Sequence, residues 1–209
     1  MRVKVCGLTS HEDAATALEL GADTLGFNFY PPSPRYIAPE EAGKIIRRLP
    51  PAAVTVGVFV NVASPAALER EARCAGVRIL QLHGDEPPEY CRQLTGWPLI
   101  KAVRIGADFQ PQALADYPAV EALLLDRKDE VLFGGTGRTF DWGVAAEIAR
   151  LRRVILAGGL HAGNVAEAIR AVRPYGVDVC SGVESAPGRK DPVKLREFMS
   201  EVRNAVQEL

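Results

Sequence analysis

Apolar residues along this chain form short runs that alternate with longer stretches of helical periodicity. The short runs are continuously apolar and rich in Val, Ile and Leu, which is typical of parallel strands covered by helices on both faces. Eight such strand–helix units follow one another. The predicted strands are Val3–Cys6, Thr24–Phe29, Ala53–Val60, Val77–Leu82, Leu99–Arg104, Ala122–Asp126, Arg153–Ala157 and Asp178–Ser181.

Capping residues indicate helices between these strands. In the first, Ser10 precedes Asp13 by three positions and Gly21 follows the last apolar position, so the start and stop signals agree. A weaker helical pattern lies between Phe109 and Tyr117. The other helices are predicted to begin after Pro39, Ser64, Glu86, Asp141, His161 and Asp191.

This alternation predicts an α/β protein, a single-domain (βα)8 TIM barrel spanning residues 1–209. An open doubly wound sheet usually has fewer strands, and its fingerprint G-x-G-x-x-G does not follow the first strand here. The active residues of a closed barrel lie on loops at the C-terminal ends of its strands. Functional residues are therefore expected at those positions.

The composition is that of a soluble globular protein. Hydrophobic residues make up 47% of the 209, charged residues make up 24%, and the formal net charge is −1 with both signs interleaved. Without a basic stripe, neither nucleic acid nor a membrane is an expected partner. The chain begins without the features of a signal peptide, and no apolar run is long enough to span a bilayer, so a cytoplasmic location is expected.

The four cysteines include no C-x-x-C pair and have no histidine at metal-ligand spacing. Free thiols are therefore expected, without a zinc site or a disulfide framework. Cys74 and Cys91 are predicted to pack on helices or in the core without reacting. His11 and His161 are predicted to be surface residues at helix starts.

Polar and reactive residues collect at the C-terminal ends of the predicted strands. Taken alone, Cys6 could be a buried structural cysteine, and Asp126 could be a loop carboxylate paired with Arg127 or Lys128. Glycine pairs are mostly turns, but two such loops on the last two strands of a barrel favour phosphate binding. The strand-end residues are Cys6, Asn28, Asn61, His83, Arg104, Asp126, Gly158, Gly159, Ser181 and Gly182.

Eight segments carry these residues. They are VKVCGLT (Val3–Thr9), LGFNFYPPSPRYI (Leu25–Ile37), VGVFVN (Val56–Asn61), LQLHGDE (Leu80–Glu86), LLLD (Leu123–Asp126), GGTGRTFDW (Gly134–Trp142), LAGGL (Leu156–Leu160) with Asn164 and Val165, and GVDVCSGVESAPGRKD (Gly176–Asp191). In this order they resemble successive signatures of the phosphoribosylanthranilate isomerase family over nearly the whole chain. The family usually has Ser where this chain has Cys180, which we interpret as a tolerated small replacement.

The resemblance implies an isomerase of tryptophan biosynthesis that acts on a phosphorylated aminosugar, N-(5′-phosphoribosyl)anthranilate. The reaction is an Amadori rearrangement, which needs an acid at the ring oxygen and a base at C2′. The resemblance implies no cofactor and no metal, because the substrate nitrogen itself acts as the electron sink.

Individual roles follow from the same resemblance. It implies that Cys6 is the base, with a pKa lowered by cationic or helix N-terminal neighbours, and that Asp126 is the acid in a low-dielectric setting. Arg35, in a proline-rich loop, would bind the anthranilate carboxylate. Backbone N–H groups in two glycine-containing loops would bind the phosphate; these loops contain Gly158, Gly159, Ser181 and Gly182.

Three further features have expected roles. His83 could tune Cys6, contact the substrate or be structural. Asp178, inside a predicted strand, must find a partner and could brace the site. The segment Gly134–Gly137 with Arg138 lacks the G-x-x-x-x-G-K-[ST] pattern of a nucleotide-binding loop and is predicted to be a mobile loop covering the substrate.

Two other functions remain open at this level. The histidine-pathway isomerase rearranges a different phosphoribosyl substrate with two aspartates, so Cys6 argues against it, although a bifunctional enzyme would combine both activities. A non-catalytic phosphosugar-binding barrel would keep the phosphate loops without turnover, and the presence of both Cys6 and Asp126 argues against that. The sequence is compatible with a monomer or a homodimer.

Overall fold

The computed structural model describes residues 1–106, 109, 114, 116–117, 120–127 and 142–209. Within these ranges, eight parallel strands form a closed barrel in chain order, and the last strand pairs with the first. The predicted (βα)8 TIM barrel is confirmed. The barrel strands are β1 (Arg2–Val5), β2 (Thr24–Asn28), β3 (Val54–Phe59), β4 (Ile79–Leu82), β5 (Leu99–Ile105), β6 (Ala122–Arg127), β7 (Val154–Leu156) and β8 (Gly176–Val179).

Helices connect most of these strands. Residues 134–138, predicted to cover the substrate, lie outside the described residues, as does most of the weak helical pattern from Phe109 to Tyr117. Of the helices in the described ranges, none has the length and apolar character needed to cross a bilayer. The described helices are α1 (His11–Glu19), α2 (Pro39–Ile46), α3 (Pro65–Ala75), α4 (Pro88–Gln93), α5 (Trp142–Leu151), α6 (Val165–Val172) and α7 (Pro192–Gln207).

The predicted capping residues fix several helix ends. The Ser10 hydroxyl accepts a hydrogen bond from the N–H of Asp13 at 3.1 Å, and Ser64 caps α3 in the same way. Helix α3 ends at Gly76, whose φ of 72° is left-handed. Asp191 caps α7. Short-range hydrogen bonding therefore sets the lengths of these helices.

Several predicted boundaries differ from the structure by one to three residues. The last strand is Gly176–Val179 and not Asp178–Ser181, because Gly176 packs against β1, where an added Cβ would lie 2.8 Å from the carbonyl oxygen of Arg2. Helix α6 begins at Val165 and not directly after His161, whose carbonyl accepts the N–H groups of a preceding turn.

Strand residues alternate between an outer and an inner packed region. Val5, Leu25 and Leu82 are among the buried residues of the larger apolar cluster, which also includes the inner faces of the helices. The smaller cluster lies inside the barrel. Its residues are Val56, Ile100, Ala102, Ala122, Leu124, Ile155 and Ala157. These apolar side chains fill the inside of the barrel, and polar side chains line its C-terminal mouth.

The chain segment after β8 folds back over one side of that mouth. A short 3-10 helix (Ser181–Val183) leads into an antiparallel pair of strands, β9 (Glu184–Ala186) and β10 (Arg189–Lys190). The hydroxyl of Thr9 donates to the carbonyl of Gly188 at 2.6 Å, so this segment is fastened to the loop after β1.

Candidate active site

A cavity of about 400 Å³ opens at the C-terminal ends of the strands. It contains seven of the eight site residues predicted from the sequence, and the eighth, Gly182, lies directly beside it. Of the other strand-end residues, Asn28 lines the cavity. Its lining residues are Cys6, Asn28, Ser33, Arg35, Val58, Gln81, His83, Asp126, Ala157, Gly158, Gly159, Leu160, Asp178, Cys180 and Ser181.

Cys6 directly follows β1 and is 8% exposed. Because side chains alternate along a strand, Cys6 and Lys4 share the inward face. Lys4 Nζ lies 3.0 Å from both carboxylate oxygens of Asp178 on β8, and both side chains are buried. The predicted need of Asp178 for a partner is therefore met by Lys4.

The surroundings of Cys6 favour its thiolate. The side chain of Cys180 hydrogen-bonds to Cys6, and this contact lowers the pKa of Cys6 well below its ordinary value. Burial acts in the opposite direction, but the charges of Lys4 and Lys190 add to the lowering. The same contact and burial raise the pKa of Cys180. Of the two thiols, Cys6 is therefore the one that ionises more readily.

The pKa values of Lys4 and Asp178, which form the ion pair next to Cys6, are both shifted. Burial raises the pKa of the Asp178 carboxyl to about 7, although the charge of Lys4 opposes the rise. For Lys4, burial would lower the pKa, but the negative charges of Asp178 and Cys6 outweigh it and the pKa is raised. Lys4 therefore remains cationic at neutral pH and faces the thiolate.

Asp126 lies at the end of β6, next to His83. His83 Nε2 is 3.0 Å from Asp126 Oδ2, and the amide nitrogen of Gln81 is 2.8 Å from His83 Nδ1. With Gln81 donating to Nδ1, the ring proton lies on Nε2 and points at the carboxylate. The Asp126 side chain is 28% exposed, so the low-dielectric setting expected for it is not present. His83 therefore pairs with Asp126, the predicted acid.

Arg35 is held at the rim of the cavity by Glu184. Its Nε and Nη2 donate to the two carboxylate oxygens at 2.7 to 3.1 Å. Lys190 Nζ lies 2.9 Å from the same carboxylate. Burial raises the pKa of Glu184, but hydrogen bonds from Arg35 and Lys190 more than offset this, and the pKa is lowered. The guanidinium is thus fixed in place.

The two predicted phosphate loops contact each other at the cavity that Cys6 and Cys180 also line. Gly158 and Gly159, which follow β7, have left-handed φ values of 83° and 71°. At Gly182, an added Cβ would overlap the carbonyl oxygen of Leu160, so the loops after β7 and β8 are in direct contact. Glycine at these positions lets two loops of backbone approach the same point.

Residues 3–201 match the family model described as N-(5′-phosphoribosyl)anthranilate (PRA) isomerase. This chain belongs to that family. An N-(5′-phosphoribosyl)anthranilate isomerase of Trichlorobacter lovleyi is 51% identical over 210 residues, which cover all of both chains.

Solved structures of the family have the same fold. A phosphoribosyl anthranilate isomerase from Thermotoga maritima aligns with a TM-score of 0.89 and 42% identity, over 98% of this chain and 99% of that one. Another, at 0.87 and 40% identity over the same shares, is in complex with reduced 1-(o-carboxyphenylamino)-1-deoxyribulose 5-phosphate. That ligand carries a carboxylate and a phosphate.

Several residues of the site escaped the sequence analysis. Gln81 was missed because it lies within the strand and not at its end, and Glu184 because its partner Arg35 is distant in sequence. Lys4 could have been found, since the spacing K-V-C places it on the face of Cys6. Cys180 was interpreted as a tolerated replacement, but its side chain contacts Cys6. Within the described ranges, no group of three or more metal-binding side chains is present.

Proposed function

We propose that this chain converts N-(5′-phosphoribosyl)anthranilate to 1-(2-carboxyphenylamino)-1-deoxyribulose 5-phosphate, a step of tryptophan biosynthesis, with Cys6 as base and Asp126 as acid. The observation that carries the proposal is that both residues line one cavity in a member of this isomerase family. They approach it from β1 and β6, which are separated around the barrel wall.

The acid acts first. Protonation of the furanose oxygen by Asp126 lets the C1′–O bond break, and the substrate nitrogen takes up the positive charge as an iminium. Asp126 enters this step as the carboxylic acid and leaves it as the carboxylate, which accepts the hydrogen bond from His83 Nε2. Gln81 fixes the ring of His83 from behind, so the carboxyl group keeps its orientation.

The base acts second. The Cys6 thiolate removes the proton from C2′ and gives an enolamine, which tautomerises to the ketone. Lys4 and Cys180 stabilise the thiolate before the proton arrives, so the base is ready at neutral pH. No step needs a cofactor, because the electrons stay within the substrate.

The remaining site residues would hold the ends of the substrate. Arg35, already oriented by Glu184, faces the cavity and suits the anthranilate carboxylate. The loops carrying Gly158, Gly159 and Ser181 suit the phosphate. We further propose that residues 1–209 form one catalytic unit that works in the cytoplasm as a monomer or homodimer.

The experiment replaces Cys6→Ser and Asp126→Asn separately and follows the loss of anthranilate-type substrate fluorescence. Each change should lower kcat by at least about a hundredfold, the usual contribution of general acid–base groups. Cys74→Ser on α3 and the exposed Asp85→Asn are matched controls and should keep wild-type rates. Near-normal rates in both site variants would refute the assignment.

Two outcomes separate the alternatives. Comparable turnover of the histidine-pathway aminoaldose would indicate a bifunctional enzyme. Binding of the product without any turnover by the wild type would favour a non-catalytic phosphosugar-binding barrel.

A further inference from the structure

Cys6 and Cys180 occupy matching positions on the two strands that close the barrel. Val5 and Val179 are register partners, and the N–H of Cys6 donates to the carbonyl of Val179 at 2.9 Å. The two cysteines are the next residues along. Neighbouring strands lie about 4.8 Å apart, and disulfides join Cα atoms separated by about 4.4 to 6.8 Å. The backbone spacing therefore suits a disulfide.

The side chains also point towards each other. Lys4 and Asp178, the register pair two residues before the cysteines, meet inside the barrel, so Cys6 and Cys180 lie on the same inward face. The two side chains interact with each other, and Cys180 Sγ also lies 3.9 Å from a carboxylate oxygen of Glu184.

Glycines on either side leave room for this contact. An added Cβ at Gly7 would lie 2.9 Å from Cys180 Sγ, and one at Gly26 would lie 2.8 Å from Cys6 Sγ. The sulfur atoms thus occupy the space that a side chain in place of Gly7 or Gly26 would need.

The pair is accessible and lies beside two lysines, whose charges are shared with Asp178 and Glu184. Lys4 lies below Cys6, and Lys190 Nζ is 3.9 Å from Cys180 Sγ. Both thiols line the open cavity, so a small solute can reach them. Unlike Cys6, Cys74 and Cys91 have raised pKa values. Desolvation is the largest cause for both, and at Cys74 the hydrogen bond with Glu40 adds to it. Thiolate character and access are what make a cysteine susceptible to oxidation.

We propose that Cys6 and Cys180 form a reversible disulfide when the protein meets hydrogen peroxide or an organic hydroperoxide. The Cys6 thiolate attacks a peroxide oxygen, the O–O bond breaks, and sulfur is oxidised to the sulfenic acid, while the other oxygen leaves as hydroxide or alkoxide and takes a proton from solvent to become water or an alcohol. The sulfur of Cys180 then attacks the sulfenic sulfur. An S–S bond forms, the S–O bond breaks, and hydroxide leaves with the Cys180 proton as water.

The disulfide would stop Cys6 from acting as a base. It would also protect Cys6 from further oxidation. A thiol tied up in a disulfide cannot accept a proton, so the oxidised protein should be inactive; this consequence rests on the proposed function, whereas the disulfide itself does not. Without a resolving thiol, a sulfenic acid is oxidised further to the sulfinic acid, which thiols do not reduce. Cys180 would thereby make the damage reversible.

The test compares the full-length wild type with Cys180→Ser after brief treatment with hydrogen peroxide. In the wild type, intact mass should fall by two hydrogen atoms, peptide mapping should join Cys6 to Cys180, and dithiothreitol should restore both mass and activity. Cys180→Ser should instead gain two oxygen atoms at Cys6, as the sulfinic acid, and stay inactive after dithiothreitol. A double variant, Cys74→Ser with Cys91→Ser, is the control and should behave as the wild type.

Each other outcome has a defined meaning. Oxygen added at Cys6 of the wild type without a cross-link, or a cross-link to another cysteine, would overturn the proposal. Equal recovery of Cys180→Ser by dithiothreitol would also overturn it. A Cys6–Cys180 link in a protein that has no isomerase activity even when reduced would uphold the disulfide and reject the proposed function.

Discussion

At the scale of single residues, the reactivity of Cys6 depends on a cation that the sequence places two positions earlier. Lys4 is almost completely buried, at 3% exposed, and its charge is balanced by Asp178 and by the thiolate. Burying a lysine is costly unless its charge is compensated. The burial of Lys4 next to Cys6 is explained by its charge, which lowers the pKa of the Cys6 thiol.

Replacing Lys4 should therefore shift the pH dependence of the reaction. Lys4→Met removes the charge that stabilises the thiolate, so the acidic limb of kcat/KM should move to higher pH. A shift of about one pKa unit would lower activity about tenfold on the acidic limb, at pH values below the wild-type pKa, and would leave alkaline activity nearly intact. Lys44→Met, on the exposed face of α2, is the control. An unchanged pH profile in Lys4→Met would contradict this account.

The same change should also destabilise the fold. It leaves Asp178 buried without a cation, which costs about 3 kcal/mol in comparable cases. Adding Asp178→Asn should recover most of that loss, as measured by urea unfolding. Failure of the second substitution to recover stability would show that packing and not charge is responsible.

At the scale of elements, the loop after β7 depends on two consecutive residues in left-handed conformation. Gly159 has a φ of 71° and no heavy atom within 4 Å of an added Cβ, so alanine there meets backbone strain and no clash. Such strain costs about 1 kcal/mol or slightly more. The position thus isolates the effect of backbone conformation on ligand binding.

Gly159→Ala should raise KM for the phosphorylated substrate several-fold and lower the free energy of unfolding by about 1 kcal/mol. Gly96→Ala is a matched control, because Gly96 also has a left-handed φ, of 87°, and open space around it but lies outside the cavity lining. It should lose similar stability with an unchanged KM. Equal KM values in the two variants would argue against phosphate binding by this loop.

At the scale of the whole molecule, ion pairs join parts of the mouth that are far apart in sequence. Arg35 follows β2, Glu184 begins β9, and they are separated by 149 positions. Because the pKa of Glu184 is lowered from its usual 4.5, its carboxylate stabilises the fold above that pH, and the contribution is lost as pH falls through the lowered value.

Glu184→Gln should accordingly cost about 2 to 4 kcal/mol of unfolding free energy at pH 7, since it leaves the buried Lys190 and the half-buried Arg35 less well compensated. The difference from the wild type should shrink as pH falls below about 4.5. Glu121→Gln, in an exposed pair with Arg153, should show little change at either pH. Thermal unfolding at several pH values measures both, and a pH-independent difference for Glu184→Gln would exclude the electrostatic explanation.

The sequence predicted the features of this structure that depend on local patterns, and it missed those that depend on contacts between residues distant along the chain. The strands could be located because they are continuous apolar runs, and strand ends of a closed barrel necessarily face one mouth. That was enough to bring Cys6 and Asp126 to one cavity. The pairing of Arg35 with Glu184, the contact of Cys180 with Cys6 and the Gln81–His83 hydrogen bond depend on register and side-chain rotamers, which short-range patterns do not encode.

The seam between β1 and β8 also has a consequence for protein synthesis. Lys4 and Asp178 are 174 positions apart, so a nascent chain leaving the ribosome carries Lys4 and Cys6 long before Cys180 and Lys190, which complete the activation of Cys6, are made. Until the C-terminal part docks, that thiol keeps the reactivity of an ordinary cysteine. Activation therefore coincides with completion of the barrel, and an incompletely synthesised chain would have neither an activated nucleophile nor its resolving partner.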